Sequence, residues 1–277
     1  MHSSAFDVRI YDLDPFGELR TTVLLRFLWQ AASDASAAVG FDIDWYERQG
    51  TLWIIRRTQL ERRAPIALGE CLRVDTWVID IRRVRSQRAY EVRRAGDQTV
   101  LARATTDWVY VDLRRGAPAQ PPAPMQRAFM PQGAVSHPRS APVAASPPDT
   151  AWRGTRCVEL ADLDTVAHVN NAQYAAFIEQ AVWDALAAAG WRVDPTVRSP
   201  RLRLESSDLE YFDAAQYGEV LNAAVWIAAL GEDGFTCECQ LDGPRGRSVH
   251  ARSTWRWSTG ALPTGLRHAA CALTSAP

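Results

Sequence analysis

The sequence predicts an α+β protein built from two tandem copies of one unit, each with a long helix followed by antiparallel strands. Three observations carry this prediction. Short blocks of sequence recur at a nearly constant spacing, each copy has one stretch with apolar residues at helical spacing, and the rest alternates between apolar and polar residues as half-buried strands do.

The recurring blocks indicate a duplication of residues 5–115 as residues 152–262. Tyr11-Asp12-Leu13-Asp14 recurs as Ala161-Asp162-Leu163-Asp164, an offset of 150 residues, which also matches Phe27 with Phe177. Further along, an offset of 149 residues matches several more positions with their counterparts: Gly69-Glu70 with Gly218-Glu219, Trp77 with Trp226, Ala102-Arg103 with Ala251-Arg252, and Trp108 with Trp257. Several ordered blocks with one single-residue slip are typical of a repeated unit.

Each copy is predicted to start with a short strand, Phe6–Tyr11 or Thr155–Leu160. The helices are predicted near 18–39 and 169–189, and each ends at a glycine that suits a left-handed C-terminal cap. The predicted strands are Leu52–Leu60, Cys71–Arg83, Gln87–Arg94 and Val100–Val111, then Arg201–Tyr211, Glu219–Leu230, Phe235–Leu241 and Ser248–Trp257. One helix followed by four or five antiparallel strands is the plan of the hotdog fold, so we expect a double hotdog.

The domain boundaries follow from composition. We expect an N-terminal hotdog over residues 1–115, a Pro/Ala-rich linker over 116–151, a C-terminal hotdog over 152–264, and a frayed tail over 265–277. Proline disfavours helix interiors and central strands, which predicts an extended linker.

Composition also limits the functions to consider. A net charge of −1 argues against a nucleic-acid partner. No apolar run is long enough for membrane insertion, and no secretory signal is visible, so a cytoplasmic location is expected. The absence of lysine excludes a Walker A loop and a Schiff base, and we expect neither a cofactor nor a metal. The odd number of cysteines, five, argues against a disulfide framework, and Cys237 and Cys239 are expected to be small buried side chains.

The segment from Asp162 to Tyr174 concentrates the polar residues that could carry chemistry. The catalytic candidates are Asp164, His168 and Asn170, and the candidates for binding substrate are Val169, Asn171 and Tyr174. Helix capping and a turn account for an asparagine and Asp164 but leave His168 at the same corner unexplained. The N–H groups of a helix start could hold a thioester carbonyl, while Asp164 acts on it as general base or nucleophile and His168 orients the water.

The same segment resembles the D-L-D-x-N-x-H-V-N-N-x-x-Y motif of acyl-acyl-carrier-protein (acyl-ACP) thioesterases. Parts of the first copy are similar to that family's first hotdog: Leu52 to Arg57, Gly69-Glu70, Val74 to Val78 and Ala102 to Thr106. The resemblance covers about residues 6–260. It implies hydrolysis of a fatty acyl thioester, acyl-ACP above all, to the free acid and the carrier thiol. The partner would be an acyl carrier protein or a CoA thioester, and a homodimer is a possible assembly.

Two positions depart from the family pattern. Val166 stands where the family has its catalytic Asn, and Ala214 stands where it has a later acidic residue. Asp213 is next to that position, but neighbours on a strand point to opposite faces. What remains is closer to simpler single-hotdog thioesterases, which resemble D-x-x-G-H-V-N-N.

A second possible site lies in the first copy, at Asp14 and Gly17. Asp14-Pro15-Phe16-Gly17 resembles the D-P-x-G corner of hydroxybenzoyl-CoA-type thioesterases, although Glu18 and Thr21 stand where His168 and Asn171 stand in the second copy. A Pro-Gly turn with an aspartate cap explains the same residues.

Several alternatives to an acyl-ACP thioesterase remain. One is an acyl-CoA thioesterase of the hydroxybenzoyl-CoA type. Another is a hotdog hydratase or dehydratase, although the sequence lacks the D-x-N-P-x-H and H-F-P-G loops of those enzymes. A third is a non-catalytic acyl-binding protein, suggested by Val166 and Ala214. A cationic hairpin is either a solvated face or a docking site for an acidic carrier or CoA phosphates: Arg82, Arg83, Arg85, Arg88, Arg93 and Arg94.

Overall fold

In a computed structural model, the chain forms two compact units. The first comprises Met1–Asp14 and Glu18–Arg139, and the second comprises Pro15–Gly17 and Ser140–Pro277. The structure describes residues 1–132, 146–197, 199 and 201–274.

The first unit is a five-stranded antiparallel sheet packed against one long helix. Its elements, in chain order, are β1 (His2–Asp7), α1 (Thr21–Ala37), α2 (Ile43–Gln49), β2 (Thr51–Arg62), β3 (Cys71–Arg82), β4 (Arg85–Arg94), β5 (Val100–Asp112), β6 (Ala117–Pro118) and α3 (Ala123–Ala128). The strand order is β1-β3-β4-β5-β2, with the two-residue β6 paired to β5. Helix α1 packs against β1 and β3.

The second unit repeats this arrangement strand for strand. Its elements are β7 (Trp152–Cys157), α4 (Asn171–Ala188), β8 (Leu202–Tyr211), β9 (Val220–Leu230), β10 (Gly234–Gly243), β11 (Gly246–Trp257) and α5 (Thr264–Ala272). The strand order is β7-β9-β10-β11-β8, antiparallel throughout. One long helix on an antiparallel sheet in each unit confirms the predicted double hotdog.

Alternation along the strands builds the core of each sheet, as β10 shows. Cys237, Cys239 and Leu241 point to one face and are buried, and Cys237 contacts Ser253 of β11. Burial raises the pKa of the Cys237 thiol to about 12 and that of Cys239 well above its usual value. The two cysteines are therefore protonated core side chains, as expected, and all five cysteines are free thiols.

The first strand lies four residues earlier than predicted in the first unit and three residues earlier in the second. Short 3-10 turns, Ile10–Asp12 and Leu160–Asp162, replace the predicted strand ends at Tyr11 and Leu160. In each turn a carboxylate accepts a hydrogen bond from the backbone three residues earlier: Asp12 from Arg9 and Asp162 from Glu159, both at 2.8 Å. Such local side-chain bonds to the backbone compete with strand pairing, so each strand ends before the turn.

The prediction of an extended linker is wrong for part of residues 116–151. Here β6 pairs with β5, and Met125 of α3 and the following Phe129 are buried in the first unit. Helix α3 tolerates its proline because Pro124 lies in the first turn, where the missing N–H has no helical partner. Residues 133–145 of the predicted linker lie outside the described residues.

The prediction of a frayed tail is wrong up to residue 274. Helix α5 packs against α4 and β9 and buries Leu266, Ala269 and Ala270, so apolar spacing outweighs the chain's terminal position. Residues 275–277 lie outside the described residues. No helix in the described part of the chain is long and apolar enough to cross a membrane.

Candidate active site

The segment from Asp162 to Tyr174 forms a tight turn that leads directly into α4. Leu163 pairs with Val169 as an isolated bridge, and the Asp164 N–H donates to the His168 carbonyl at 2.9 Å. The Asn170 N–H donates to the Asp162 carbonyl at 3.0 Å. These backbone bonds hold Asp164 and His168 at the two ends of one turn, as the sequence predicted.

The Asp164 carboxylate is oriented by the backbone of its own turn. Its Oδ1 accepts a hydrogen bond from the Val166 N–H at 3.0 Å, and the residue is partly exposed. Among the residues that the structure describes, neither Asp164 Oδ2 nor the partly exposed His168 imidazole has a hydrogen-bond partner. One carboxylate oxygen and the imidazole are therefore available to a water or a substrate.

The start of α4 supplies hydrogen-bond donors at the same corner. Asn170 is the N-cap, and its Oδ1 accepts from the Ala172 N–H at 3.0 Å. Within the described part of the chain, the backbone N–H groups of His168 and Asn171 have no acceptor. Because a helix start also carries the positive end of the helix dipole, these two donors could hold a developing negative charge.

The loop after β8 is hydrogen-bonded to both the turn and the first residues of α4. The Val169 N–H donates to the Ala215 carbonyl at 2.9 Å, and the Ala215 N–H donates to the Tyr174 hydroxyl at 2.9 Å. Tyr174 is only 1% exposed, and burial raises the pKa of its phenol, which stays neutral. The substrate contacts expected of Val169 and Tyr174 remain predictions; what the structure shows is that both fasten the loop to the turn.

Arg245 and Asp162 complete the support, and the sequence predicted a role for neither of them. Arg245 Nη2 donates to the Ala214 carbonyl at 2.7 Å, and its Nε donates to Asp213 at 2.8 Å. The buried Asp162 carboxylate accepts from Gln173 Nε2 at 3.0 Å. Arg245 follows the turn signal Gly243-Pro244, but its partners lie about thirty residues away, so sequence spacing gave no signal for this contact.

The two departures from the family motif leave gaps in the structure. Val166 is an exposed apolar side chain, and Ala214 offers only its backbone. The neighbouring Asp213 carboxylate is paired with Arg245 instead of taking the missing acid's place. Asp164 and His168 are thus the titratable groups of this turn with open positions.

The corresponding turn of the first copy has the same backbone hydrogen bonds but different side-chain contacts. The Asp14 N–H donates to the Glu18 carbonyl at 2.7 Å, and Asp14 Oδ1 accepts from the Glu18 N–H at 2.9 Å. Arg62 covers the start of α1, donating to the Leu19 carbonyl at 2.9 Å and to Thr21 Oγ1 at 3.2 Å. Gly17 has φ +85°, which the predicted turn requires. A second site at Asp14 and Gly17 remains a prediction, and Arg62 lies beside its helix start.

Comparison with protein-family models agrees with this division into two units. The N-terminal domain of acyl-ACP thioesterases matches residues 1–121, and the thioesterase-like superfamily matches residues 158–256. The chain is a thioesterase with an acyl-ACP thioesterase N-terminal domain. The family resemblance read from the motif is confirmed.

Solved structures of similar shape cover nearly the whole chain of this thioesterase. A protein from Lactobacillus plantarum, provisionally described as an oleoyl thioesterase, has a TM-score of 0.80 at 19% identity and covers 95% of this chain and 96% of its own. The 12:0-ACP thioesterase from Umbellularia californica gives 0.75 at 21% identity, with 92% and 94% covered. An acyl-ACP thioesterase from Bacteroides thetaiotaomicron gives 0.73 at 18% identity, with 92% and 97% covered. These likenesses establish the fold, and no curated protein matches by sequence.

The described part of this thioesterase has no group of three His, Cys, Asp or Glu side chains arranged to hold a metal ion.

The turn of this thioesterase contains a strained residue. Ala167 has φ +62°, a left-handed conformation that costs a residue with a Cβ about 1–2 kcal/mol. Ala167→Gly is therefore expected to raise the free energy of unfolding by about 1 kcal/mol, measured by urea denaturation. Ala187→Gly, within α4, is the matched control and should lower it by a similar amount. An equal decrease in the free energy of unfolding of both variants would show that Ala167 is not strained.

The Tyr174 hydroxyl is expected to stabilise the loop below the site. Tyr174→Phe leaves the Ala215 N–H buried without an acceptor, so it should lower the free energy of unfolding by about 1–3 kcal/mol. Tyr217→Phe, at an exposed position of the same loop, should change it by less than about 0.5 kcal/mol. The two variants would be compared by urea denaturation, and equal effects would contradict the role of this bond.

Proposed function

We propose that this thioesterase hydrolyses fatty acyl-ACP to the free acid and the carrier thiol at the turn before α4. The observation that carries the proposal is that one turn holds an oriented carboxylate with an open oxygen, an open imidazole, and two open backbone N–H groups. Hydrolysis of a thioester needs these parts: a base for water and donors for the oxyanion.

The backbone N–H groups of His168 and Asn171 are the proposed oxyanion donors. When water adds to the thioester carbonyl, the oxygen becomes negative, and donors fixed in advance stabilise it more than they stabilise the neutral carbonyl. The contribution of one such donor is typically about 3–4 kcal/mol. Asn170 keeps these donors in place because its side chain caps α4 through the Ala172 N–H.

Asp164 is the proposed general base. Its Oδ2 would take a proton from the attacking water as the water oxygen bonds to the carbonyl carbon. When the tetrahedral intermediate collapses, the C–S bond breaks and the proton passes from Asp164 to the leaving sulfur. The carboxylate is regenerated, and the products are the acid and the thiol.

Direct attack by the Asp164 carboxylate is the other course that the geometry permits, through a mixed anhydride. In this course the Asp164 oxygen bonds to the carbonyl carbon and the thiolate leaves, before water cleaves the anhydride. A single turnover in water enriched in oxygen-18 identifies this course when water attacks the Asp164 carbonyl. Attack by water places the label in the released acid in the first turnover. Attack by Asp164, with water then cleaving the anhydride at the enzyme's carbonyl, places it in Asp164.

His168 is proposed to orient the water or the thioester sulfur. The family's Asn and acidic residue are replaced by Val166 and Ala214, so neither of them is present to orient the imidazole. A neutral imidazole can still donate one hydrogen bond and accept another.

Acyl-ACP is the proposed substrate because the first unit matches the acyl-ACP thioesterase model. The cationic hairpin gives weaker support than its sequence suggests. Arg82 pairs with Asp80, and Arg94 pairs with Glu70 and Asp97, so part of its charge is neutralised locally. Arg88 is buried and cannot be part of a solvated face.

The test is thiol release from matched acyl-ACP and acyl-CoA substrates, with an enoyl thioester as a third substrate. The proposal predicts thiol release with the higher kcat/KM on acyl-ACP. A higher value on acyl-CoA would transfer the proposal to an acyl-CoA thioesterase. Hydration of the enoyl thioester without thiol release would overturn it in favour of a hydratase. The absence of both reactions would indicate an acyl-binding protein.

A further inference from the structure

Arg88 occupies a core position of the first unit. On β4 it pairs with Val78 of β3 and with Thr106 of β5, so these three side chains point to the same face. Arg88 is only 7% exposed, and its guanidinium lies 5.9 Å from the centre of the Phe129 ring. Arginine almost never occupies such a position without a partner.

The partners that Arg88 has are few and neutral. Of its five N–H donors, the described residues engage one, through Nη1 to Thr76 Oγ1 at 3.2 Å. Thr76 in turn donates to the Ala89 carbonyl at 3.0 Å. No carboxylate among the described residues pairs with the guanidinium, although an uncompensated buried charge typically costs several kcal/mol.

A second buried donor belongs to the same region. The indole Nε1 of Trp53 is buried near the Tyr46 hydroxyl and makes no hydrogen bond of ordinary geometry with the described residues. Trp53 packs against what we call the aromatic cluster: Phe41, Tyr46, Val78, Tyr110, Met125 and Phe129. Burial raises the pKa of Tyr46 to about 12, so this phenol is neutral and provides no counter-charge for Arg88.

The hotdog fold itself does not require a charge here. In the second unit, the core face of the corresponding strand β10 carries Phe235, Cys237 and Cys239, all buried. The first unit therefore keeps a cation where its own repeat has apolar side chains. A ligand with a negative charge could pair with this guanidinium and compensate its charge.

We propose that the first unit binds a carboxylate on Arg88, with the apolar body of the same organic acid lying against the aromatic cluster. A carboxylate matches the planar fork of a guanidinium and would cancel its charge away from water. The six-residue helix α3, which precedes Phe129, would have to shift to admit the acid. The carboxylate could belong to a free acid or to the far end of a dicarboxylic acyl thioester.

The first experiment is calorimetric titration of the full chain with octanoate, with 1-octanol as the uncharged probe. We expect octanoate to bind and octanol to bind at least tenfold more weakly. Arg88→Met removes the charge and keeps a long, flexible side chain. It should raise the Kd for octanoate at least tenfold, or about 1.4 kcal/mol. Arg85→Met, at an exposed position of the same strand, should leave the affinity unchanged.

A second variant guards against misfolding. Trp53→Phe removes the indole N–H but keeps the ring, and it should weaken octanoate severalfold. The melting temperature of each variant would be measured, and removal of an unpaired buried charge is expected to preserve it. Since binding is measured directly, this result does not depend on hydrolysis.

The source of the carboxylate is then distinguished with suberoyl-CoA and octanoyl-CoA, which differ by a terminal carboxylate. If Arg88→Met lowers the suberoyl-to-octanoyl ratio of kcat/KM at least tenfold, the carboxylate belongs to the substrate. If Arg88→Met weakens octanoate binding but leaves this ratio unchanged, the ligand is a free acid. Unchanged octanoate binding together with an unchanged ratio would overturn the proposal.

Discussion

Asp164→Asn is expected to lower kcat/KM for acyl-ACP by about 1,000-fold to 10,000-fold, the upper part of the range for a lost acid–base group. The substitution keeps the size of the side chain and the oxygen that accepts from the Val166 N–H, so the turn should remain folded. What it removes is the charged oxygen that takes the proton from water. The loss should fall on kcat more than on KM, because binding the acyl group needs no base.

The check is steady-state thiol release by Asp164→Asn, together with its melting temperature. A variant that melts like the wild type but turns over at least 1,000-fold more slowly agrees with the assignment. Retention of more than a tenth of the wild-type kcat/KM would show that Asp164 only shapes the turn.

His168→Gln is expected to lower kcat/KM by about 100-fold, less than the change at Asp164. Glutamine still donates and accepts hydrogen bonds, so part of the orienting function is preserved. The smaller effect follows from the site itself, where Val166 and Ala214 leave the imidazole without the Asn and acidic residue that the family motif provides. The same thiol-release assay measures it.

His268→Gln is the matched control, because His268 is exposed on α5. It should have wild-type activity. If His168→Gln proves more damaging than Asp164→Asn, the roles are reversed and the imidazole is the base.

Much of the fold could be predicted from the sequence because its signals are local. The helix that begins at Asn171 follows from apolar spacing and an asparagine cap, and the strands β2 to β5 were placed within two residues of their observed ends. The repeat strengthens these predictions, because each element of the unit occurs in both copies of the sequence. Helix α2 was missed, although Asp42 caps it and Gly50 ends it with φ +65°.

Predictions from composition failed where a few side chains found a place in the core. The linker and the tail contain helices because Met125 and Leu266 are fully buried, which no count of prolines or distance from the terminus reveals. Arg88 was grouped with exposed arginines of its hairpin, yet strand alternation and register turn it inward.

The turn of the candidate site could be predicted from the sequence, but the contacts that support the turn could not. The order of Asp164, His168 and Asn170 on one turn follows from the sequence and a helix start. The support does not, because Tyr174 contacts Ala215, 41 residues away, and Arg245 contacts Ala214, 31 residues away. Such contacts depend on how the strands pair.

The central claim is that hydrolysis takes place at the turn of the second unit and not at its repeat in the first. It is tested most directly by thiol release from acyl-ACP with wild type, Asp164→Asn and Asp14→Asn measured side by side. The account predicts that Asp14→Asn keeps activity within about threefold of wild type, while Asp164→Asn loses at least 1,000-fold. Loss of activity in Asp14→Asn, with activity retained in Asp164→Asn, would contradict it and place the chemistry in the first unit.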